Sequence, residues 1–349
     1  MLPGSWAPEL CFLENSKFSA AELIMGVKKI KKLGVITSGG DCSGMNAALR
    51  SVVRCALYND IETIGFYRAY LGLVNNEKIN LTRRSVSNVI GRGGTILKTE
   101  RFLEFKEKKW QKKAKEVLHK NKIDALVVIG GDGSFRGAHA LSKSFGIQTI
   151  GIPATIDNDI SGTDYSIGSF TAVNVALDAI DKIRDTATSM ERIFVIEVMG
   201  RSVGFIAMLV GLAGGAEEVL LPELNTRLDD MIKEIKAGRK KGKRSWIVIV
   251  AEGAYKADYI ADFISEQTGF ETRVAVLGHV QRGGTPTAFD RVLASRFGAY
   301  AVELAMNKNT DCSAAIQADK LKSIPLSKAI KPSTTTNTDL YELMKILAV

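Results

Sequence analysis

Three apolar runs in the first half of the chain each stop at a loop built from glycine and aspartate. Leu33–Thr37 leads into Ser38-Gly39-Gly40-Asp41, Ala125–Ile129 into Gly130-Gly131-Asp132-Gly133-Ser134, and Thr149–Pro153 into Thr155-Ile156-Asp157-Asn158-Asp159. The runs are short, rich in Val and Ile and nearly continuous, as parallel strands buried on both faces are. Ile193–Val198 and Trp246–Ala251 repeat the pattern. After the first run, Met45, Ala48, Leu49, Val52, Val53, Ala56 and Leu57 recur at helical spacing, and after the third Phe170, Val173, Leu177, Ile180 and Ile183 do the same. Strand, loop and helix in alternation predict an α/β fold of βαβ units. Functional groups in such sheets collect at the carboxyl ends of the strands, where these loops stand.

At 349 residues the chain is longer than one core ordinarily uses, so two lobes are expected. No low-complexity linker separates them, which suggests that the chain crosses between lobes more than once. No apolar run reaches the ~18 residues of a membrane span. Cys11, Cys42, Cys55 and Cys312 show no paired spacing and read as reduced thiols of a cytoplasmic protein. Three histidines without a Cys/His cluster argue against zinc. The net charge of +9 fits sites for anionic ligands as well as a lysine-rich surface. The strongest basic run, Arg239-Lys240-Lys241-Gly242-Lys243-Arg244, has no interleaved aromatics, so nucleic acid is not an expected partner. The first 28 residues lack periodicity and do not resemble a secretory signal; they read as an N-terminal extension. Lys331–Asn337 reads as a loop before a last short helix.

Paired glycines let backbone N–H groups approach a bulky anion, and a helix N-terminus behind them adds partial positive charge. A carboxylate beside a phosphate is repulsive unless a cation bridges them, and Mg²⁺ is the usual bridge. Asp132 suits that role. Asp157 and Asp159 form a second acidic cluster, in which one can act as base toward a hydroxyl. Turn formation or helix capping explains any one of these aspartates, but not their recurrence at successive strand ends. There is no G-x-x-x-x-G-K-[ST], and the first loop lacks G-x-G-x-x-G, so any nucleotide is held by another kind of loop.

Taken together, GVITSGGDCSGMNAALR, YLGL, GRGGTIL, ALVVIGGDGS, PATIDNDI, GTDYSIG, IEVMGR, GHVQRGG and DRVLASR resemble the phosphofructokinase family, in order, from about Lys29 to about Met306. The resemblance implies two Rossmann-like lobes with mainly parallel sheets flanked by helices and an active site in the cleft between them. Residues 29–167 and 280–330 would form the larger, ATP-binding lobe, and 168–279 and 331–349 the smaller, sugar-phosphate lobe. It implies transfer of the γ-phosphoryl group of ATP to fructose 6-phosphate, with Mg²⁺. Gly40, Arg101, Phe102, Gly131, Asp132, Gly133 and Ser134 match ATP-binding positions, and Asp132 the metal position. Asp157 matches the catalytic base, with Thr155 and Asp159 beside it and Arg101 at the transferring group. Met199, Gly200, Arg201 and Glu252 match sugar-binding positions. Arg192, Arg273, His279 and Arg282 match the phosphate clamp, with Arg192 and Arg273 supplied by a neighbouring subunit of a homotetramer.

Arg50 and Arg54, an i, i+4 pair, are mildly repulsive unless solvated or given an anion. In the family these positions line a regulatory site for ADP or phosphoenolpyruvate, completed by Arg83, Arg184, Glu217, Lys241, Lys243 and Arg244. Ser245 stands where a His is common, Ser43 where a Pro is common and Ala154 where a Gly is common. Pyrophosphate-dependent members resemble GGDDS and PKTIDND; Gly133 and Ala154 supply neither the Asp nor the Lys. A non-catalytic anion-binding relative would be expected to have lost Asp132, Asp157 or Arg101, and all three are present.

Overall fold

A computed structural model describes residues 30–224, 226–332 and 338–348. The reading of residues 1–28 as an extension, with Cys11 among them, and most of the 331–337 loop lie outside the described residues.

The larger sheet has seven strands: β1 (Lys32–Ser38), β2 (Glu62–Phe66), β3 (Lys78–Leu81), β4 (Ala125–Gly130), β5 (Gln148–Pro153), β10 (Cys312–Gln317) and β11 (Lys320–Pro325). Their order is β11-β10-β5-β4-β1-β2-β3. The five inner strands are parallel, whereas β3 and β11 pair antiparallel at the two edges. The smaller sheet is parallel, in the order β7 (Glu218–Leu220), β8 (Trp246–Ala251), β6 (Ile193–Val198), β9 (Thr272–Val276).

Burial on both faces accounts for the central strands: every residue of β4 and β8 is buried. The helix α1 (Met45–Tyr58) packs through Met45, Ala48, Leu49, Val52, Val53 and Ala56 and leaves Arg54 exposed. Helices α2 (Ala69–Val74), α3 (Lys108–Lys120) and α4 (Asp132–Phe145) pack together on the other face of the larger sheet, against Ile36, Leu126 and Val128. The chain passes from β5 through α5 (Ser169–Ser189) to the smaller sheet, where α6 (Phe205–Ala213), α7 (Leu228–Lys240) and α8 (Ala257–Thr268) intervene. It returns through α9 (Ala288–Met306) to β10 and β11, then through α10 (Leu326–Ala329) to α11 (Thr338–Leu347). Lys345 of α11 ion-pairs with Glu218 of β7, so the last helix rests on the smaller sheet.

The join between the two sheets is held by a buried acid. Asp290, fully buried on α9, accepts from the backbone N–H groups of Gly168 (2.8 Å) and Thr171 (2.7 Å) at the start of α5. These N–H groups have no partner within their own helix, and α5 has no side-chain cap of its own. A carboxylate at this end also suits the helix dipole. Asp290 therefore fixes where the crossing helix starts.

Candidate active site

Register brings the three loops together. Ser38 of β1 stands beside Gly130 of β4, and Gly130 beside Pro153 of β5. The segments that follow, Gly39–Asp41, Gly131–Ser134 and Thr155–Asp159, therefore emerge side by side. They open on a cleft of about 810 Å³ that Arg101, Phe102, Arg201 and Arg282 also line. Arg101 is exposed and without an ion-pair partner among the described residues.

The glycine loops form a cradle. Gly39 has φ of +86°, which side chains rarely adopt. A Cβ on Gly40 would fall 2.2 Å from Nη1 of Arg282, so that guanidinium lies directly on the loop. Helix α4 begins at Asp132, after Gly131, and its first turn presents free N–H groups to the cleft. A Cβ on Gly133 would meet nothing within 4 Å, so packing does not demand glycine there and the space suits a ligand. The Ser134 hydroxyl is buried with no hydrogen-bond partner.

Asp157 is the most enclosed acid of the cleft, 2% exposed. Its Oδ2 lies 3.4 Å from Thr155 Oγ1 and 3.4 Å from Arg201 Nε, and its Oδ1 has no hydrogen-bond partner. Burial, reinforced by the Asp159 carboxylate and opposed by Arg201 and Arg282, pushes its pKa up to about 6. Asp159 is raised as well, chiefly by burial, with Arg201 opposing. Arg201 Nη1 stands 3.9 Å from Asp159 Oδ2. The arrangement can hold a base that is ionised near neutrality yet has a stronger pull on a proton than an exposed carboxylate.

The donors present fit Mg²⁺. Asp159 Oδ1 is buried without a hydrogen bond, and Asp132, whose charge reaches Asp159, stands at the head of the phosphate-sized cradle. Among the described residues no group of three or more His, Cys, Asp or Glu side chains converges. Mg²⁺ ordinarily takes only one or two carboxylates and completes its shell with phosphate oxygens and water. Arg136 pairs with Asp132 at 3.0 Å, as an i, i+4 partner would.

The smaller sheet contributes through a turn after β6. Gly200 has φ of +140° and Arg201 φ of +52°, and Glu252 at the end of β8 stabilises both by accepting from their N–H groups (3.2 and 3.0 Å). Glu252 is thus partnered by backbone, and Arg201 is the group the turn delivers to Asp157. His279 and Arg282 ride on a 3₁₀ turn, Gly278–Arg282. Arg282 reaches the Asp41 carbonyl at 3.3 Å, while His279 is exposed.

Two residues whose contacts sequence reasoning did not foresee join these parts. Gln281, 1% exposed, accepts from the Met199 N–H at 3.4 Å and donates to the Gly278 carbonyl at 3.1 Å. Ser43 Oγ lies 3.0 and 2.8 Å from the carbonyls of Gly283 and Gly284. A hydroxyl in place of the common proline thus ties the first loop to the Arg282 turn. Ala154 is buried, with its N–H on the Gly130 carbonyl at 3.0 Å.

Arg192 and Arg273 do not enter this cleft. They flank the starts of β6 and β9, where Ile193 pairs with Thr272, and share Glu271, which is 2.9 Å from Arg192. Met199 lies at the other end of β6, about 20 Å away at the usual rise per residue.

Of the eight residues expected at a regulatory site, an ion pair joins only Glu217 and Lys243 among the described residues. Glu217 Oε1 is 3.2 Å from Lys243 Nζ, and Oε2 accepts from the Ile247 N–H at 2.6 Å. Lys243 also donates to the Ala348 carbonyl at 3.2 Å, and Arg184 donates to the carbonyls of Gly214 and Gly215. Lys241 and Arg244 flank Lys243 in the loop after α7. Among the described residues no ion pair is made by Arg50, Arg54 or Arg83. The family resemblance groups all eight in one site. Within one chain, backbone carbonyls and Glu217 already offset Arg184 and Lys243.

Comparison with known proteins identifies the family. The sequence profile described as Phosphofructokinase matches residues 32–305. The chain is 50% identical over 320 residues to a protein of Listeria monocytogenes serotype 4a named ATP-dependent 6-phosphofructokinase, covering 92% of this chain and 100% of that protein. It is 50% identical over 321 residues to a Thermoanaerobacter protein of the same name, with the same coverage. Among solved structures, phosphofructokinase from Saccharomyces cerevisiae superposes with a TM-score of 0.81 at 34% identity, over 91% of this chain and 48% of that one. This chain thus spans about half the length of the yeast chain. A pyrophosphate-dependent phosphofructokinase from Nitrosospira multiformis shares the fold, with a TM-score of 0.80 at 23% identity over 91% of this chain and 92% of that one. On this match across most of its length, the chain belongs to the phosphofructokinase family.

Proposed function

We propose that the protein transfers the γ-phosphoryl group of ATP to the C1 hydroxyl of fructose 6-phosphate, giving fructose 1,6-bisphosphate and ADP, the committing step of glycolysis. The observation that carries this reading is the buried Asp157, with its pKa near 6, facing both the glycine cradle and Arg201. Asp157 accepts the C1 hydroxyl proton as the oxygen–phosphorus bond forms. The bond from the γ-phosphorus to the bridging oxygen breaks, and its electron pair leaves with ADP. Thr155 orients the base. Arg101 offsets charge on the transferring group, and Gly40, Phe102 and Gly131–Ser134 hold the nucleotide. Asp132, with Asp159 behind it, would hold Mg²⁺, which supplies charge neutralisation between the phosphates.

Met199, Gly200, Arg201 and Glu252 shape the sugar pocket, and His279 and Arg282 take the 6-phosphate with Arg192 and Arg273 of a neighbouring subunit. The position of those two arginines at the far ends of β6 and β9 favours sharing across subunits, as in a homotetramer. The same reasoning joins Arg50, Arg54 and Arg83 of one subunit to Arg184, Glu217, Lys241, Lys243 and Arg244 of another, in a site for ADP or phosphoenolpyruvate. We assign residues 29–167 and 280–330 to the nucleotide lobe and 168–279 and 331–349 to the sugar-phosphate lobe. The protein is taken to act in the cytoplasm; among the described residues no helix is long and apolar enough to cross a membrane.

A coupled assay offering ATP, GTP and pyrophosphate in turn with fructose 6-phosphate tests the reading. ATP-dependent turnover is expected. Turnover with pyrophosphate alone would overturn it.

A further inference from the structure

Gln111 lies on α3, which carries none of the groups assigned so far, yet it lines the cleft. It is 5% exposed on an otherwise lysine-rich helix. Its Nε2 donates to the carbonyls of Phe105 (2.9 Å) and Lys106 (3.2 Å). Carbonyls can be met only by the NH₂ side of an amide, so its orientation follows from the partners. Oε1 is left as an acceptor with no donor among the described residues. An acceptor held in this way gains from a ligand that brings the donor.

The place along the cleft indicates which part of a ligand that is. Asp132, Arg136, Gly137 and Ala140 line it from one face of α4, so it follows the helix for about 12 Å away from the phosphate cradle. Beside these turns of α4, Tyr70, whose hydroxyl donates to the Ser134 carbonyl at 2.6 Å, stacks on Phe105, centroids 4.1 Å apart, and the half-buried Phe102 lies 6.2 Å from Phe105. Aromatic walls suit a flat ring. A nucleotide with its triphosphate on the cradle would have its base within the part of the cleft lined by Phe102, Phe105 and Gln111.

We propose that Gln111 Oε1 reads the donor's nucleobase, accepting from an amino group at the purine 6-position and disfavouring a 6-oxo group, whose lone pairs would oppose its own. The inference rests on the nucleotide-donor reading above and adds a residue that sets which nucleotide is used.

The test compares kcat/KM for ATP and inosine triphosphate, using the full chain and Gln111→Met, which keeps the length and removes both polar groups. The unaltered protein should favour ATP about tenfold or more, and the variant should bring the ratio within about threefold. Loosening of the Phe105–Lys106 turn alone would weaken both nucleotides alike and leave the ratio unchanged, which would overturn the inference. A second measurement needs no variant: N6,N6-dimethyl-ATP, which lacks the N–H, should lose about tenfold against ATP, and N6-methyl-ATP, which keeps one, should lose less. Equal use of dimethyl-ATP and ATP would also overturn it. Turnover with pyrophosphate and with neither nucleotide would instead overturn the donor reading, and this inference with it.

Discussion

Arg201 spans the cleft from the smaller sheet to place Nε 3.4 Å from Oδ2 of Asp157 on the larger one. It is the cation nearest the proposed base, and Glu252 holds its backbone in the left-handed turn that aims it. An opposite charge at this range favours the ionised carboxylate. Arg201→Ala should therefore move the acid limb of the kcat/KM profile upward, from near pH 6 toward ~7. Turnover below pH 7 should fall more than turnover at pH 8.5. An unmoved limb would mean that Arg201 acts only on substrate.

Arg192 and Arg273 test the assembly. Asp157→Asn and Arg273→Ala homo-oligomers should each be nearly inactive. Mixed oligomers in which tagged chains have exchanged should regain part of the activity, because some sites then pair an intact Asp157 with an intact Arg273. Confirmed exchange without recovery would place Arg273 within its own subunit's site.

Arg54 tests the proposed effector site. Coupling between sites is typically ~1–3 kcal/mol, or about 5- to 150-fold in affinity. ADP or phosphoenolpyruvate should shift the half-saturating fructose 6-phosphate concentration within that range. Arg54→Ala should abolish the shift and preserve the maximal rate. A flat response of the unaltered protein to both effectors would refute the site.

Stability offers a readout independent of turnover. The pKa of Asp157 is raised from 3.8 to about 6 in the folded protein. A carboxyl shifted in this direction contributes stability that is present below pH ~4 and lost as pH rises through about 6. Asp157→Asn cannot ionise, so it should be more stable than the unaltered protein by up to about 3 kcal/mol above pH 7, with the difference vanishing near pH 4. Urea midpoints at pH 4 and 7.5 measure this. A variant less stable at pH 7.5 would show that the carboxylate is favourably partnered rather than strained.

Much of this was legible in the chain because burial on both faces writes itself as continuous Val and Ile runs. Ile193–Val198 and Trp246–Ala251 coincide with β6 and β8, and β1, β4 and β5 extend the expected runs by one or two residues. The edge strands β3 and β11 were not legible: they are short or half-exposed, without a strong apolar signal. Asp157 was found as one of a spaced acidic pair, but its burial depends on side chains from both sheets. The contacts of Gln281 and Ser43 were not legible for a similar reason. Their partners are backbone groups up to 241 residues away, and no local pattern reports such a bond.

The central claim is that Asp157 removes the proton from the accepting hydroxyl, and the direct measurement is kcat of Asp157→Asn with saturating ATP and fructose 6-phosphate. Loss of a general base ordinarily costs ~10²–10⁴ in rate. The account predicts a fall of that size with ATP affinity nearly unchanged. Turnover within about tenfold of the unaltered protein, below even the least effect expected of a lost base, would contradict it.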